Sequence, residues 1–100
     1  MNSIVLKLNT ERRGAFVIEE GENKLAEMAV AIADGNLIVY HTEVAEQLRG
    51  EGIAGKLLDK MIDYARANNL KVVPLCSYVH AQFSRHPDKY ADMWNKNWRS

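Results

Sequence analysis

Three glycines, Gly50, Gly52 and Gly55, fall where the chain stops reading as a strand and starts reading as a helix. Upstream, Asn36 to Thr42 is rich in β-branched and aromatic residues. Downstream, Ala54, Leu57, Leu58, Met61, Ile62 and Ala65 recur at helical spacing, with Lys56, Asp59, Lys60, Asp63 and Arg66 between them. A strand, a glycine-rich turn and a helix start bring together backbone N–H groups without intrahelical partners, and the helix dipole there favours negative charge. Glycine also removes the Cβ that would hold a ligand away. The chemistry is anion binding, and a phosphate-bearing ligand is the first expectation; the competing reading is a tight turn and nothing more. Two other nucleotide motifs fit worse. Lys56 is followed by Leu57 rather than Ser or Thr, which argues against a P-loop. The acidic residue that a dinucleotide fingerprint wants at the end of a second strand is missing.

Cys76 and His41 are the candidates for bond-making and proton transfer. Cys76 falls where a fifth strand should end, at the carboxyl edge of a parallel pair, which is where open α/β sheets put their ligands. A thiol there can accept an acyl group, provided it is activated to the thiolate. His41, ending the neighbouring strand, and His80, one helical turn past the cysteine, are its candidate activators. His41 is also the candidate base for an amine. Against both stands the plain alternative of a packed thiol and a hydrogen-bonded structural histidine. His80 and His86 lack a Cys/His/Asp cluster at ligand spacing, so no metal is expected.

These residues need a scaffold. Ser3 to Leu8 reads as a first strand and Ala15 to Glu19 as a second, with Phe16 and Ile18 on one face. Lys24 to Ala33 has helix-forming composition. It is nevertheless assigned to a strand, because Asp34-Gly35-Asn36 is a strong hairpin signal leading into Leu37 to Tyr40. Met28, Val30 and Ile32 should then share one face, with Glu27, Ala29 and Ala31 on the other. A helix from about Gly52 to Asn68 comes next, with Asn69 as a left-handed cap. Lys71 to Leu75 reads as a fifth strand, parallel to the fourth through the helical crossover. Pro74 cannot donate to a ladder and belongs at an edge or where strands part. A short helix from Ser77 to Arg85 stops at His86-Pro87, and Asp88 to Trp94 makes a last turn or two. The fold class is α/β with a mixed sheet: four antiparallel strands, then helix, parallel strand and helix.

Gln47-Leu48-Arg49-Gly50-Glu51-Gly52 and Arg49-Gly50-Glu51-Gly52-Ile53-Ala54 both fit Q/R-x-x-G-x-G/A. This segment resembles the acyl-CoA-binding segment of the GNAT superfamily, the acetyl-CoA-dependent N-acetyltransferases. The resemblance runs from about the third strand to the helix after Cys76. It is closest to a compact, YjdJ-type branch with His41-Thr42-Glu43-Val44, the Arg49 to Gly52 turn and Cys76-Ser77-Tyr78. It implies a minimal GNAT-like fold with the acyl-CoA site at a splay between strands four and five, which Pro74 suits. It also implies acetyl-CoA as the donor and an amine as the acceptor. Val44, Gln47, Arg49, Gly50, Gly52, Ala54 and Gly55 would bind the donor: backbone N–H groups from Arg49 to Gly55 on the pyrophosphate, and backbone near Val44 on the pantetheine and the thioester carbonyl. Tyr78 would protonate the departing thiolate; the plainer reading makes it a core residue. Two departures stand out. The helices that usually separate the superfamily's first two strands, and its final hairpin, do not fit in 100 residues. Glu51 stands where a neutral or basic residue is common, and a carboxylate beside a phosphate costs affinity unless it points outward.

Bulk composition narrows the classes. At 47% hydrophobic and 26% charged, a chain of 100 residues can build one small core, and one domain is expected. Thirteen basic and thirteen acidic residues cancel, which argues against broad phosphate neutralisation and hence against a nucleic-acid binder. Trp94 and Trp98, interleaved with Lys96 and Arg99, read as a C-terminal lid or dimer contact rather than a base-stacking platform. One cysteine suits a reducing compartment. The apolar run at the N-terminus is too short for a signal peptide, and none approaches membrane-spanning length. A soluble cytoplasmic protein, monomer or weak homodimer, is expected. The leading reading is an acetyltransferase, acting by direct attack or through acyl-Cys76. The alternatives are a non-catalytic acyl-CoA-binding or protein-interaction module, and a structural protein whose glycine turn is only a turn.

Overall fold

The computed structural model describes residues 3–98; Arg99 lies outside them. Five strands form one sheet in chain order: β1 (Ile4–Leu8), β2 (Arg13–Glu20), β3 (Asn23–Ala33), β4 (Asn36–Val44) and β5 (Lys71–Pro74). The first four are antiparallel neighbours, and β5 runs parallel to β4. Three helices complete the chain: α1 (Ile53–Ala67) between β4 and β5, then α2 (Ser77–Arg85) and α3 (Pro87–Tyr90). The order matches the sequence expectation, and β2 and β4 extend further than composition suggested.

The Lys24 to Ala33 segment is a strand despite its propensity. Asp34 and Gly35 take positive φ of 52° and 78°, the backbone a tight hairpin requires, and that turn folds the segment against β4. Tertiary pairing thus overrides local preference. Met28, Val30 and Ile32 enter one buried cluster with Phe16 and Ile18 from β2, Leu37 and Val39 from β4, and Val72 from β5. The cluster also holds Ile53, Leu57, Leu58, Met61, Ile62 and Ala65 of α1, Val79 and Phe83 of α2, and Tyr90 of α3. All three helices therefore pack on one face of the sheet. Val17, Ala31, Ile38 and Val73 are buried outside that cluster, and strand alternation assigns them to the other face.

One irregularity decides what β4 presents. Val39 pairs with Val30 and His41 with Ala29, so Tyr40 is an extra residue, a β-bulge. Before the bulge, Leu37 and Val39 face the helices. After it, Thr42 and Val44 do, opposite Met28 and Ala26, while His41 opposes Ala29 on the far face. A one-residue shift exchanges the faces.

At the other end of the sheet, β5 is covered by the segment after α3. Val72 donates its N–H to the Met93 carbonyl at 2.6 Å, and its own carbonyl accepts from Asn95 N–H at 2.9 Å. Successive N–H groups along a strand alternate in direction, so Pro74 turns its missing donor to this outer side, away from β4. Arg66 reinforces the closure, donating to Asp92 Oδ1 at 3.2 Å and to the Lys89 carbonyl at 2.8 Å.

Candidate functional site

Strands β4 and β5 pair only from Asn36 with Lys71 to Val39 with Pro74. One further link, Cys76 N–H to the Val39 carbonyl at 2.8 Å, closes the contact. Beyond it β4 runs on to Val44 with a strand neighbour on its β3 side alone. The parting leaves a gap bounded by β4, the start of α1 and the start of α2. A groove of about 390 Å³ opens there, lined by Val44, Leu48, Arg49, Gly50, Gly52, Ile53, Ala54, Gly55 and Tyr78.

The glycine turn forms the floor of the groove. A single 3-10 turn (Glu46–Leu48) leads into Gly50 and Gly52, whose φ values of 86° and 72° belong to the left-handed region. Gly52 caps α1 without any side-chain hydrogen bond. The first backbone bond of the helix runs from Lys56 N–H to the Gly52 carbonyl at 3.2 Å. Among the described residues, nothing accepts from the N–H groups of Gly50, Gly52, Ile53, Ala54 or Gly55. Five open donors at the positive end of a fifteen-residue helix make a concave anion cradle. Glu51 is exposed, and its N–H is turned back to the Leu48 carbonyl at 3.3 Å.

Of the residues expected to hold a donor, Val44, Arg49, Gly50, Gly52, Ala54 and Gly55 line this one groove, and Tyr78 joins them from α2. Gln47 is exposed on the 3-10 turn and is not among the lining residues. The Tyr78 phenol has a raised pKa, chiefly because burial disfavours the phenolate, with the Asp59 carboxylate adding to the effect.

Cys76 is 3% exposed, and its Sγ lies 3.4 Å from Thr42 Oγ1. Neither histidine reaches it. His41 sits across the sheet, half exposed, with Nδ1 3.8 Å from Glu43 Oε1. His80 donates its backbone N–H to the Cys76 carbonyl at 2.9 Å, while its ring stands edge-on to Trp94 with centroids 5.8 Å apart. The pairing of Cys76 with either imidazole, expected from strand ends and helical spacing, is therefore replaced by a hydroxyl. Thr42 was missed because only the bulge at Tyr40 turns it toward the thiol, and a bulge leaves no clear mark in the sequence. Among the described residues no group of three His, Cys, Asp or Glu side chains is arranged to hold a metal ion. No helix among them is long and apolar enough to cross a membrane.

A five-stranded mixed sheet whose last two strands part beside a glycine turn and a helix start defines an α/β domain with an open groove at the parting. The chain belongs to the GCN5-related N-acetyl-transferase family, whose model matches residues 15–93, from β2 to just past α3. No curated protein matches it.

Proposed function

We propose that this protein is an acetyl-CoA-dependent N-acetyltransferase that moves an acetyl group to a primary amine by direct attack. The observation that carries the reading is the cradle of five unpaired N–H groups opening into a groove that ends at Val44 and Tyr78. The residues fit the group. The cradle suits a pyrophosphate, Arg49 adds positive charge at its rim, and the unpaired length of β4 offers backbone to an amide-bearing arm. When bound, acetyl-CoA supplies the acetyl group as a thioester.

The chain's own residues do the rest. Backbone N–H near Val44 polarises the carbonyl; one preorganised donor of this kind is worth about 10²–10³ in rate. Tyr78, held protonated by its burial, gives its phenolic proton to the departing thiolate. His41 takes the first proton of an incoming ammonium. The amine nitrogen then bonds to the acetyl carbon as the carbon–sulfur bond breaks, and its excess proton returns to Tyr78 through solvent. Cys76 is read as a packed thiol, since its neighbour is a hydroxyl and not a base. The rival is a ping-pong route through acyl-Cys76. A free thiol suits a reducing compartment, and we assign the protein to the cytoplasm.

One observation favours a second reading, a domain that binds acyl-CoA without turnover: no carboxylate or imidazole lines the groove. Titration with acetyl-CoA in a thermal-shift assay tests both, because a ligand of the native state raises the melting temperature with concentration. A saturable shift followed by acetylation of an amine panel supports the enzyme, and a shift without turnover supports the binding domain. No shift at millimolar ligand sinks both.

A further inference from the structure

The two edges of the sheet are finished differently. The outer side of β5 is closed by the Met93–Asn95 segment, whereas among the described residues nothing pairs with the outer side of β1. Asn9 donates its N–H inward, to the Arg13 carbonyl at 2.8 Å. Antiparallel neighbours alternate between bonded and unbonded residues, so Val5 and Lys7 also turn their backbone groups to β2. Ile4, Leu6 and Leu8 therefore each point an N–H and a C=O away from the sheet. Exposed edges are usually blunted by a proline, a bulge or charged side chains. β1 has no proline, and its register with β2 runs without a shift. Its one charged side chain, Lys7, lies 2.6 Å from Glu19 Oε1 and is neutralised within the same chain.

We propose that β1 is a dimerisation edge, on which a second copy of this chain pairs its own β1 antiparallel about a two-fold axis at Leu6. Three features select a copy of the chain over an unrelated strand. First, the register is self-complementary. Leu6 meets Leu6 of the partner subunit, Ile4 meets Leu8 of the partner subunit, and every outward N–H and C=O of these residues is bonded. Second, the side chains match. Ile4, Leu6 and Leu8 are only partly buried against the core, and the pairing sets the same three beside them in one apolar row on the helix side. The crossover helix α1 packs mainly over β2 to β5, which leaves that row room. Third, on the other face the axis places Lys7 of the partner subunit opposite Val5, which is 48% exposed. The lysine's aliphatic stem covers the valine, and no two like charges stand opposite each other. A five-residue strand buries less than the roughly 800 Å² per partner of a standard interface, so the dimer is weak. The donor groove lies at the far side of β4 and stays open in it.

Sedimentation equilibrium of the whole protein over a concentration series tests the pairing. A monomer–dimer equilibrium with a dissociation constant of about 10 µM to 1 mM is expected. Val5→Glu sets a carboxylate opposite Lys7 of the partner subunit and should tighten the dimer. Val5→Lys sets two ammonium groups opposite each other and should loosen it. Each contact occurs twice about the axis, so the two shifts should each be about twofold to thirtyfold, in opposite directions. Val5 is an exposed position, and a thermal melt checks that both variants fold. Leu6→Pro removes an outward N–H without taking a bond from β2, so the folded variant should stay monomeric. A parent that is monomeric at millimolar concentration overturns the proposal. So do Val5 variants that move the equilibrium in the same direction or not at all, and a folded Leu6→Pro that dimerises like the parent.

Discussion

At the residue scale the site depends on backbone more than on side chains. A Glu at position 52 would put a carboxylate in the anion cradle and force an L side chain into φ 72°. Gly52→Glu is therefore expected to abolish the acetyl-CoA thermal shift; retention of the parent shift would remove the glycine turn from the donor site. Tyr78 makes a sharper kinetic prediction. Its raised pKa keeps it protonated through neutral and mildly alkaline pH, so a Tyr78-dependent turnover should fall only above about pH 10. Tyr78→Phe should lower kcat by about 10²-fold and remove that alkaline limb. A pH–rate profile unchanged in the variant would show that another group protonates the thiolate. Cys76→Ala should retain acetyl transfer, at some cost in stability, and the parent should show no acetyl adduct on Cys76 by intact mass. Of these residues, the glycine turn was legible because its signal is local. The partner of Cys76 was not, since side-chain neighbours across a sheet depend on register, and register depends on where the bulge falls.

At the element scale, hydrophobic periodicity read almost everything that periodicity can carry: the alternation of Met28, Val30 and Ile32, the apolar stripe of α1, and the hairpin at Asp34-Gly35 that decided an ambiguous composition. Strand ends were less legible, because pairing with a neighbour, not composition, determines how far β2 and β4 extend. Gly14 carries a constraint that no pattern shows. A Cβ added there would lie 1.8 Å from the Lys7 carbonyl oxygen and 3.0 Å from Leu8 Cα, so β1 can approach β2 only across a glycine. Gly14→Ala should detach β1 and lower the melting temperature more than Ala15→Gly does. Met61, fully buried on α1, tests the packing of the helix layer on the sheet: Met61→Ala should cost about 2–5 kcal/mol by urea titration.

At the scale of the whole molecule, the end of the chain is fastened to the crossover helix. Asp92 has its pKa lowered below the ordinary 3.8, first by its hydrogen bond with Arg66. A depressed carboxylate stabilises the fold above its unfolded pKa and loses that contribution as pH falls through the folded value. The pair is exposed, so the effect is small. Arg66→Gln should accordingly narrow the stability difference from the parent as pH drops below about 4, in melts taken from pH 6 to pH 2. A difference that stays constant over that range would mean Arg66 acts through packing or its bond to the Lys89 carbonyl.

The covered flank of β5 also limits how copies of this protein can join. Val72 gives both of its outward backbone groups to the Met93–Asn95 segment, so among the described residues the sheet offers a full-length unpaired rim only along β1. A sheet with two open rims can grow without end, strand upon strand, toward a fibre. A sheet with one can accept a single neighbour, and when that neighbour is a copy of itself, both rims are consumed at once. A full-length strand can therefore join the native sheet along β1, while the short open stretch of β4 beyond Val39 faces the groove. Unbounded assembly would first require the terminal segment to peel away from β5.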